Sequence, residues 1–368
     1  MPKQALSNAL NFSGGPGVLP ETVLAQTQQA IACVPEVGLS ILGISHRSDW
    51  FAAVVAETEA NIRQLLGLPD EFAVLFLQGG ATLQFSMIPM LLLRGSGKTA
   101  EYLRTGYWSS KAIPEAALEG QVRVLWDGES SGFHRLPRAD ELDCSASAAY
   151  LHYASNETVE GTQFHDIPGI DGVPRVCDMS SDFLSRPIDC QRFDLIYAHA
   201  QKNLGPAGVT IVLIRQSLLT QVPAGLPALL DYRSHIQAHS IYNTPPVFAI
   251  YVMLLVSRWL RDDIGGLKPM DAINQRKAAK LYQSIDHSAG FYQGWAAQDN
   301  RSLMNVSFRL PSVTLENAFL QQASAQGFSG LAGHRSLGGI RASIYNAMTE
   351  PAVDALSAFM ADFAKSIS

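Results

Sequence analysis

The chain has 368 residues, of which 47% are hydrophobic and 16% are charged, enough for one large core or two moderate ones. The net charge of −6 and the lack of a Lys/Arg block exclude a general nucleic-acid binder, because nothing neutralises a phosphate backbone. The four cysteines lack Cys-x-x-Cys spacing, so we predict neither a metal site nor a disulfide scaffold and expect a reducing, cytoplasmic location.

Short apolar runs alternate with helix-length segments through the first two thirds of the chain. This alternation is typical of βαβ units and predicts an α/β fold with a mostly parallel sheet covered by helices. The predicted strands are FAVLFL (72–77), QVRVLW (121–126), AAYLHY (148–153), RFDLIYA (192–198) and VTIVLIR (209–215).

One short glycine motif resembles part of a nucleotide-binding loop, but the residues around it do not fit that motif. GSGKT (95–99) ends like a P-loop, but the first glycine of that motif would fall on Leu92. The segment before it, SMIPMLLLR, is predicted to be a helix, whereas a P-loop follows a strand. We therefore expect a polar loop here.

From about Ile250 onward the pattern changes to long helices. The apolar run VFAIYVMLLVSRWL (247–260) is too short to span a bilayer and is predicted to be a buried helix. A strand candidate, NVSFRL, and a C-terminal helix beginning at Glu350 follow. We expect a large domain of residues 1–255 and a smaller α+β domain of residues 256–368, with residues 1–16 as candidates for packing against the smaller one.

Lys202 is the first candidate functional residue. The stretch YAHAQKNLGPAG (197–208) places it after an apolar strand, and open α/β sheets bind their ligands at strand ends. A partly desolvated amine there can attack a carbonyl and form a Schiff base. Asp178 ends another apolar run and could keep a pyridinium nitrogen protonated, as pyridoxal phosphate chemistry requires. Taken singly, the two have ordinary alternatives, a surface cation and a cap or turn residue.

Three further segments fit the same chemistry. The strand FAVLFL runs through GGAT (79–82) into a helical segment, and the N–H groups of a helix N-terminus suit a phosphate monoester. Trp108 offers a flat apolar face to an aromatic ring, and Thr158 offers a hydroxyl to a ring oxygen. Each signal alone is weak, because Gly-Gly turns and core tryptophans are common.

In this order, the segments resemble the phosphoserine aminotransferases, pyridoxal-phosphate enzymes of fold type I in the class V aminotransferase group. The resemblance covers nearly the whole chain, and its most specific segments are HRSLGGIRASIYNAM and LSRPID followed by AQKNLGPAG. The other segments that carry it are NFSGGPGVLP, GISHRS (43–48), GYWSSKA, HYASNETVEG and YNTPPVFAIY (242–251).

The resemblance implies roles for individual residues. Lys202 would form the Schiff base with pyridoxal phosphate, and Asp178 would pair with its ring nitrogen. Asn243 and Thr244 would reach the phosphate from the neighbouring subunit, so a homodimer with one cofactor per subunit would share its active sites. The remaining implied contacts are Gln201, Ala81 and Thr82 for the phosphate, Trp108 for the ring face and Thr158 for the ring oxygen.

The implied reaction is amino transfer from L-glutamate to 3-phosphohydroxypyruvate, with 3-hydroxy-2-oxo-4-phosphooxybutanoate of pyridoxine synthesis as a further substrate. Such substrates are anionic at both ends, and arginines at defined positions bind them well. By the resemblance, Arg341 is the carboxylate clamp, and His46, Arg47, His334 and Arg335 receive the substrate phosphate.

Two positions depart from the family pattern. Gly14 replaces a small hydroxyl residue of many members, and Thr82 stands where some bacterial members have arginine, so backbone N–H groups must bind more of the phosphate charge. Two alternatives stay open. One is another class V enzyme, such as a serine–pyruvate or alanine–glyoxylate aminotransferase, and the other is a non-catalytic vitamin B6-binding protein of this fold.

Overall fold

The computed structural model describes residues 8–367. In this part of the chain, nine strands precede residue 216. They are β1 (Phe72–Leu77), β2 (Thr99–Arg104), β3 (Gln121–Asp127), β4 (Tyr150–Ala154), β5 (Asn156–Glu157), β6 (Thr162–Gln163), β7 (Arg175–Asp178), β8 (Leu195–His199) and β9 (Thr210–Arg215).

Seven of these strands form the central sheet, in the order β1-β9-β8-β7-β4-β2-β3, and β5 pairs with β6 in a small hairpin. Strand β9 is antiparallel to both of its neighbours, and every other pairing in the sheet is parallel. Six strands therefore end at the same edge. The predicted mostly parallel α/β sheet is confirmed, and the five predicted strands correspond to β1, β3, β4, β8 and β9.

Helices cover both faces of the sheet. Along β1, Phe72, Val74 and Phe76 pack in one apolar cluster, and the alternate residues pack in another. The first cluster includes residues of α2 (Asp49–Leu66) and α6 (Val247–Arg258), and the second includes residues of α3 (Gly80–Leu92), α4 (Tyr107–Ala117) and α5 (Tyr232–Gln237). A strand buried on both faces reads as a continuous apolar run, which is why β1 was recognisable. The helices are α1 (Glu21–Ala32), α2 (Asp49–Leu66), α3 (Gly80–Leu92), α4 (Tyr107–Ala117), α5 (Tyr232–Gln237) and α6 (Val247–Arg258).

The C-terminal part has its own sheet and apolar cluster. It contains α7 (Leu267–Asp286), β10 (Gln293–Gly294), β11 (Asn305–Arg309), α8 (Val313–Ala325), β12 (Ile340–Ser343) and α9 (Glu350–Ile367). Its three strands form an antiparallel sheet, and its cluster also includes Phe12 and Val18 from the N-terminal segment. The predicted boundary at residue 255 lies within α6, and the division into two domains stays a prediction; residues 1–7 lie outside the described residues.

The sequence pattern did not predict β2, because Glu101 interrupts its apolar run. In the structure Glu101 is buried, and it accepts a hydrogen bond from Arg123 Nη2 of the adjacent β3 at 2.6 Å. That pairing offsets the cost of burying a charge. The order of elements around GSGKT is α3, loop, β2, which confirms that no P-loop is present there.

The predicted buried helix 247–260 is also confirmed in its main part, α6, where Ile250 and Met253 are fully buried. Among residues 8–367, the structure contains no helix long and apolar enough to cross a membrane.

A buried lysine holds a turn of the C-terminal part that contacts the segment after β8. Lys277 of α7 is buried, and its Nζ donates hydrogen bonds to backbone carbonyl oxygens in the turn 344–348, among them that of Tyr345 at 2.7 Å. In the same turn, the Asn346 N–H donates to Asn203 Oδ1 at 3.0 Å. The turn is therefore fixed next to Lys202.

We expect Lys277→Met to lower the free energy of unfolding by about 2–4 kcal/mol, because it leaves several buried carbonyl oxygens without donors. Urea unfolding followed by both circular dichroism and fluorescence measures this change. Lys280→Met is the matched control on the same helix, since Lys280 makes an exposed ion pair with Asp354 and its loss should change stability little. Equal effects of the two substitutions would contradict the role given to Lys277.

Candidate active site

A cavity of about 580 Å³, including its open mouth, lies at the edge where six strands of the central sheet end. Its size is typical of small-molecule sites, which occupy roughly 300–1,000 Å³. Its lining comes from the ends of β1, β4, β7 and β8 and from α4: Gly80, Ala81, Thr82, Trp108, Ala154, Asn156, Thr158, Asp178, Ser180, Ser181, His199, Gln201 and Lys202.

The turn from β1 into α3 forms one wall of the cavity. Gly79 and Gly80 have φ values of 91° and 70°, a left-handed region that glycine adopts without strain. Gly79 is the N-cap of α3 and provides no side-chain cap. The first N–H groups of the helix, at residues that border the cavity, are therefore available to an anion.

Lys202 also lines the cavity and is in contact with the N-terminal segment. Its Nζ donates a hydrogen bond to the carbonyl oxygen of Gly14 and lies 5.9 Å from the centre of the Tyr345 ring. The Tyr345 hydroxyl donates to the same Gly14 oxygen at 2.8 Å. A side chain at Gly15 would lie 2.5 Å from Nζ, so this glycine leaves room for the amine. The amine is thus held in the cavity, half-buried, by contacts that an incoming group can replace.

Asp178 is the last residue of β7 and is buried at the floor of the cavity. Its Oδ1 accepts a hydrogen bond from the Ser180 N–H at 2.8 Å. Burial raises the pKa of the Asp178 carboxyl to about 6, although hydrogen bonds with Ser180 act to lower it. Within the described residues this carboxylate forms no salt bridge, so a cationic ring nitrogen in the cavity would supply the missing counter-charge.

Trp108 lines the cavity from the first turn of α4, and two buried carboxylates hold that turn. Glu157 accepts hydrogen bonds from the N–H groups of Trp108 and Ser109, each at 3.0 Å, and Glu160 accepts one from Tyr107 N–H at 3.0 Å. Carboxylates at a helix N-terminus interact favourably with its dipole. The indole position is therefore fixed by its own backbone rather than by apolar packing alone.

Arg341 lies on β12 at the rim of the cavity. It is largely buried, and its Nη1 is 3.5 Å from the carbonyl oxygen of Thr158, at the long limit of a hydrogen bond. Its Nε has no hydrogen-bond partner within residues 8–367. Burial lowers the pKa of this guanidinium. A Cβ at position 14 would come within 2.1 Å of Nη2, so Gly14 makes room for a guanidinium that has no carboxylate of its own.

Three basic side chains surround Tyr107, next to Trp108: the cations Lys111 and Arg335 and the imidazole of His334. The His334 ring centre lies 4.6 Å from that of Tyr107, and Lys111 Nζ lies 5.2 Å from it. Hydrogen bonding from Lys111, followed by that from Arg335, lowers the pKa of the Tyr107 hydroxyl. Burial, then Arg341, Arg335 and Lys111, lowers the pKa of His334. Positive charge is therefore concentrated at this side of the mouth.

Seven predicted site residues are not among those that line the cavity of their own protomer. Three of them, Arg341, His334 and Arg335, lie beside it as described above, and the other four lie elsewhere. His46 and Arg47 lie in the turn before α2, where Arg47 is exposed. Asn243 and Thr244 lie against Gln78, whose Nε2 donates to the Thr244 carbonyl oxygen while Asn243 Nδ2 donates to Gln78 Oε1 at 3.4 Å. That these residues act in the neighbouring subunit stays a prediction.

Sequence reasoning missed several residues of the site. His199 stands inside the stretch that identified Lys202, at the last position of β8, and it lines the cavity. Lys111 follows Tyr107 at helical i, i+4 spacing, a signal that the GYWSSKA segment contained. The roles of Asn156, Ser180 and Ser181 had no sequence signal, because polar residues in turns are common.

Comparison with known proteins agrees with this geometry. The class V aminotransferase family matches residues 9–356. The phosphoserine aminotransferase of Rhodopirellula baltica is 51% identical over 96% of this chain and 94% of its own length. The solved phosphoserine aminotransferase of Bacillus circulans subsp. alkalophilus has a TM-score of 0.94 at 46% identity, covering 97% of this chain and 98% of that one.

Two further solved structures compare this chain with a less similar phosphoserine aminotransferase and with a different aminotransferase. The phosphoserine aminotransferase of Trichomonas vaginalis, solved with PLP bound, has a TM-score of 0.89 at 36% identity and covers 96% of this chain and 99% of that one. The alanine–glyoxylate aminotransferase of Nostoc sp. is 15% identical at a TM-score of 0.76, covering 99% of this chain and 97% of its own, which shows the fold alone. Identity over the full length therefore separates this chain from the other class V enzymes: it belongs to the class V aminotransferase family and, within it, to the phosphoserine aminotransferases.

Proposed function

We propose that this protein catalyses the reversible, pyridoxal-phosphate-dependent transfer of the amino group of L-glutamate to 3-phosphohydroxypyruvate. The products are O-phospho-L-serine and 2-oxoglutarate, and the reaction is a step in L-serine biosynthesis. The observation that carries this proposal is the single cavity in which a half-buried lysine amine faces a buried aspartate without a counter-charge and an uncapped helix N-terminus. Related substrates, such as 3-hydroxy-2-oxo-4-phosphooxybutanoate, fit the same requirement for a phosphate and a carboxylate.

The residues present fit pyridoxal phosphate, with one molecule per subunit. When bound, this cofactor supplies an aldehyde that condenses with amines and a pyridinium ring that takes up electrons from the substrate. Asp178 would hold the ring nitrogen in its protonated form, and Trp108 would cover the ring face. The α3 N-terminus, with Gln201 and Thr82, would hold the phosphate, and Thr158 would contact the ring oxygen.

Lys202 has two tasks in this proposal. With the cofactor bound, its amine would be the group that condenses with the cofactor aldehyde and that a substrate amine would replace. The released amine would then be placed to act as the base for the α-proton of the substrate and as the donor that returns the proton. The Gly14 carbonyl oxygen and the Tyr345 ring keep the released amine in the cavity.

The cations without an acidic partner determine the orientation of the substrate in the cavity. Arg341 can bind the α-carboxylate through two parallel hydrogen bonds, since no acidic side chain of the described chain occupies its guanidinium. The cations around Tyr107 then receive the far end of the substrate, either a phosphate or the γ-carboxylate of glutamate. The stronger positive charge at that end favours the phosphate dianion over an uncharged hydroxyl.

We further propose a homodimer with shared sites in the cytoplasm. A shared site accounts for the phosphate-side residues His46 and Arg47, which do not line the cavity of their own protomer. The four cysteines have free thiols, which supports a reducing compartment.

The first test is spectroscopic. Protein loaded with pyridoxal phosphate should lose its long-wavelength absorption band on addition of glutamate and recover it with 3-phosphohydroxypyruvate. Hydroxypyruvate, which lacks the phosphate, should recover the band far more slowly. Equal recovery with both acceptors would favour the serine–pyruvate type of enzyme, and no response to glutamate would favour a non-catalytic binding protein.

We expect Lys202→Ala to lower turnover by roughly 10²–10⁴-fold or more, because it removes the proposed base. Steady-state kinetics with glutamate and 3-phosphohydroxypyruvate measure this loss. Lys98→Ala, in an exposed loop, is the control and should keep the parental rate. A Lys202→Ala protein with parental turnover would end the assignment of this lysine.

We expect Asp178→Asn to abolish most activity and to stabilise the cofactor-free protein at pH 7.5. Because the folded pKa of about 6 exceeds the ordinary value of 3.8, the folded protein binds this proton more tightly than the unfolded chain does. The carboxyl therefore destabilises the fold increasingly as the pH rises from about 4 to 6. The neutral amide avoids this cost, so the gain in melting temperature should be larger at pH 7.5 than at pH 5.

Asp182→Asn is the matched control for this measurement. Burial raises the pKa of Asp182 as well, but Asp182 has a counter-charge, Arg186 Nη2 at 3.7 Å from Oδ2. Its two oxygens also accept hydrogen bonds from Ser155 Oγ and from Gln163 Nε2, the latter at 3.0 Å. An asparagine at position 182 would place its NH2 group against one of these two donors, so the substitution should lower the melting temperature at both pH values. A destabilised Asp178→Asn protein at pH 7.5 would contradict our account of the unpaired carboxylate.

We expect Arg47→Ala and Lys202→Ala to complement each other in mixed dimers. If Arg47 acts in the partner's site, a mixed dimer has one intact site, and an equal mixture reaches about a quarter of parental activity. Co-expression with two different tags allows the mixed dimer to be purified and assayed. Arg341→Ala with Lys202→Ala is the control, because both residues serve the same protomer and no activity should return. The absence of complementation by Arg47→Ala would exclude the shared site.

A further inference from the structure

His199 is a cavity residue for which the mechanism above has no task. It ends β8, it is half-buried, and it lines the cavity together with Gln201 and Lys202. Its backbone N–H donates to Ser180 Oγ at 3.2 Å, which fixes the start of the side chain next to the floor of the cavity. Among the residues that line the cavity, only His199 and Lys202 have side chains with basic nitrogens.

The ring of His199 faces the turn that begins α3. A Cβ placed on Gly80 would lie 3.3 Å from Cδ2 and 3.4 Å from Nε2 of the imidazole. This edge of the ring is therefore in contact range of the position where the uncapped N–H groups of α3 begin. The absence of a side chain on Gly80 allows the ring to approach the turn.

The other ring nitrogen indicates the tautomer. Nδ1 lies 3.4 Å from the backbone nitrogen of Gln201, in a geometry in which that N–H donates to it. A neutral imidazole that accepts at Nδ1 has its proton on Nε2. Burial, followed by the charge of Lys202, lowers the pKa of His199 to about 4, which keeps the ring neutral at physiological pH. Nε2–H is then a donor at the phosphate wall of the cavity, without a hydrogen-bond partner in the described part of the chain.

We propose that the Nε2–H of His199 donates a hydrogen bond to the phosphate group of the cofactor and so contributes to selection of the phosphorylated form. The inference rests on the proposed pyridoxal phosphate site. It also bears on Thr82, the position at which some bacterial family members have an arginine. Here His199 of β8 would supply a neutral side-chain donor to the phosphate in addition to the N–H groups of the helix N-terminus. A neutral donor suits this place, since a cation here would lie close to the Lys202 amine.

The test compares two amides that keep different parts of the imidazole. His199→Gln can place its Nε2 near the position of the histidine Nε2, whereas His199→Asn reaches only the position of Nδ1. Dissociation constants for pyridoxal phosphate and for pyridoxal, which lacks the phosphate, are measured on cofactor-free protein by the change in absorbance. Because both ligands make the same ring and aldehyde contacts, the ratio of the two constants isolates the phosphate contribution.

We expect His199→Asn to weaken pyridoxal phosphate binding by about 10- to 100-fold, the range for a hydrogen bond to a charged group, and to leave pyridoxal binding nearly unchanged. His199→Gln should recover most of the loss. Thr158→Val is the matched control, because its predicted contact is to the ring oxygen and its loss should weaken both ligands alike.

Two results would overturn this role for His199. If His199→Asn weakens both ligands equally, the histidine only packs against the turn; if it weakens neither, Nε2 does not contact the phosphate. If the Asn variant does not fold, His199→Leu replaces it, since leucine also has no donor at the position of Nε2: inorganic phosphate should raise its melting temperature less than that of the parent, and an equal rise would overturn the inference. If the parent protein responds to glutamate but His199→Asn does not change the ratio of the two dissociation constants, the inference is refuted and the proposed function is retained. A parent that does not bind pyridoxal phosphate refutes the proposed function and this inference together.

Discussion

Two largely buried charges that form no salt bridge within the described chain determine the design of this site. Asp178 lies at the floor of the cavity and Arg341 at its rim, and neither forms a salt bridge within residues 8–367. Unpaired buried charges oppose folding, so the rest of the structure has to hold them in place. Such an arrangement is reasonable only where ligands supply the missing charges, a cationic ring for Asp178 and a carboxylate for Arg341. The cost in stability and the capacity for binding thus have the same origin.

The fold provides this support by joining two apolar clusters across the cavity. The central sheet supplies Asp178 and Lys202, whereas the C-terminal sheet supplies Arg341. The N-terminal segment packs its Phe12 in the C-terminal cluster, and its Gly14 carbonyl oxygen accepts from Lys202 Nζ. Glycines at positions 14 and 15 are needed here, since a Cβ on either would collide with a cationic side chain. The position of the Lys202 amine therefore depends on elements that are distant in sequence.

The sequence predicted the parts of the fold that depend on local pattern. Strands buried on both faces, such as β1 and β9, gave uninterrupted apolar runs, and α6 did the same. Strand β2 could not be found in this way, because the charge of Glu101 is satisfied by Arg123 on another strand. The antiparallel direction of β9 was equally hidden, since a fully buried strand has the same composition in either direction.

The site residues divide in the same way, into those with a local sequence signal and those whose role depends on residues distant in the chain. Lys202 and Asp178 were recognisable because each follows an apolar strand and belongs to an extended motif. His199 lies only three residues from Lys202, yet its meaning depends on the distance between its ring and Gly80, 119 positions earlier in the chain. The cations near Tyr107 likewise come from α4 and from the loop before β12, which only the packing of the two sheets brings together.

Substrate choice follows from where these charges lie rather than from how many there are. A protein with a net charge of −6 attracts no anion by its overall field, so binding depends on local groups. In the proposed function, Arg341 would hold one end of the substrate, and the cations around Tyr107 lie next to Trp108. Lys111 and Arg335 are both exposed, so water solvates them when the far end of a substrate is uncharged. Under the proposed function, discrimination against unphosphorylated keto acids would therefore come from the ion pairs that only a phosphate can make with them.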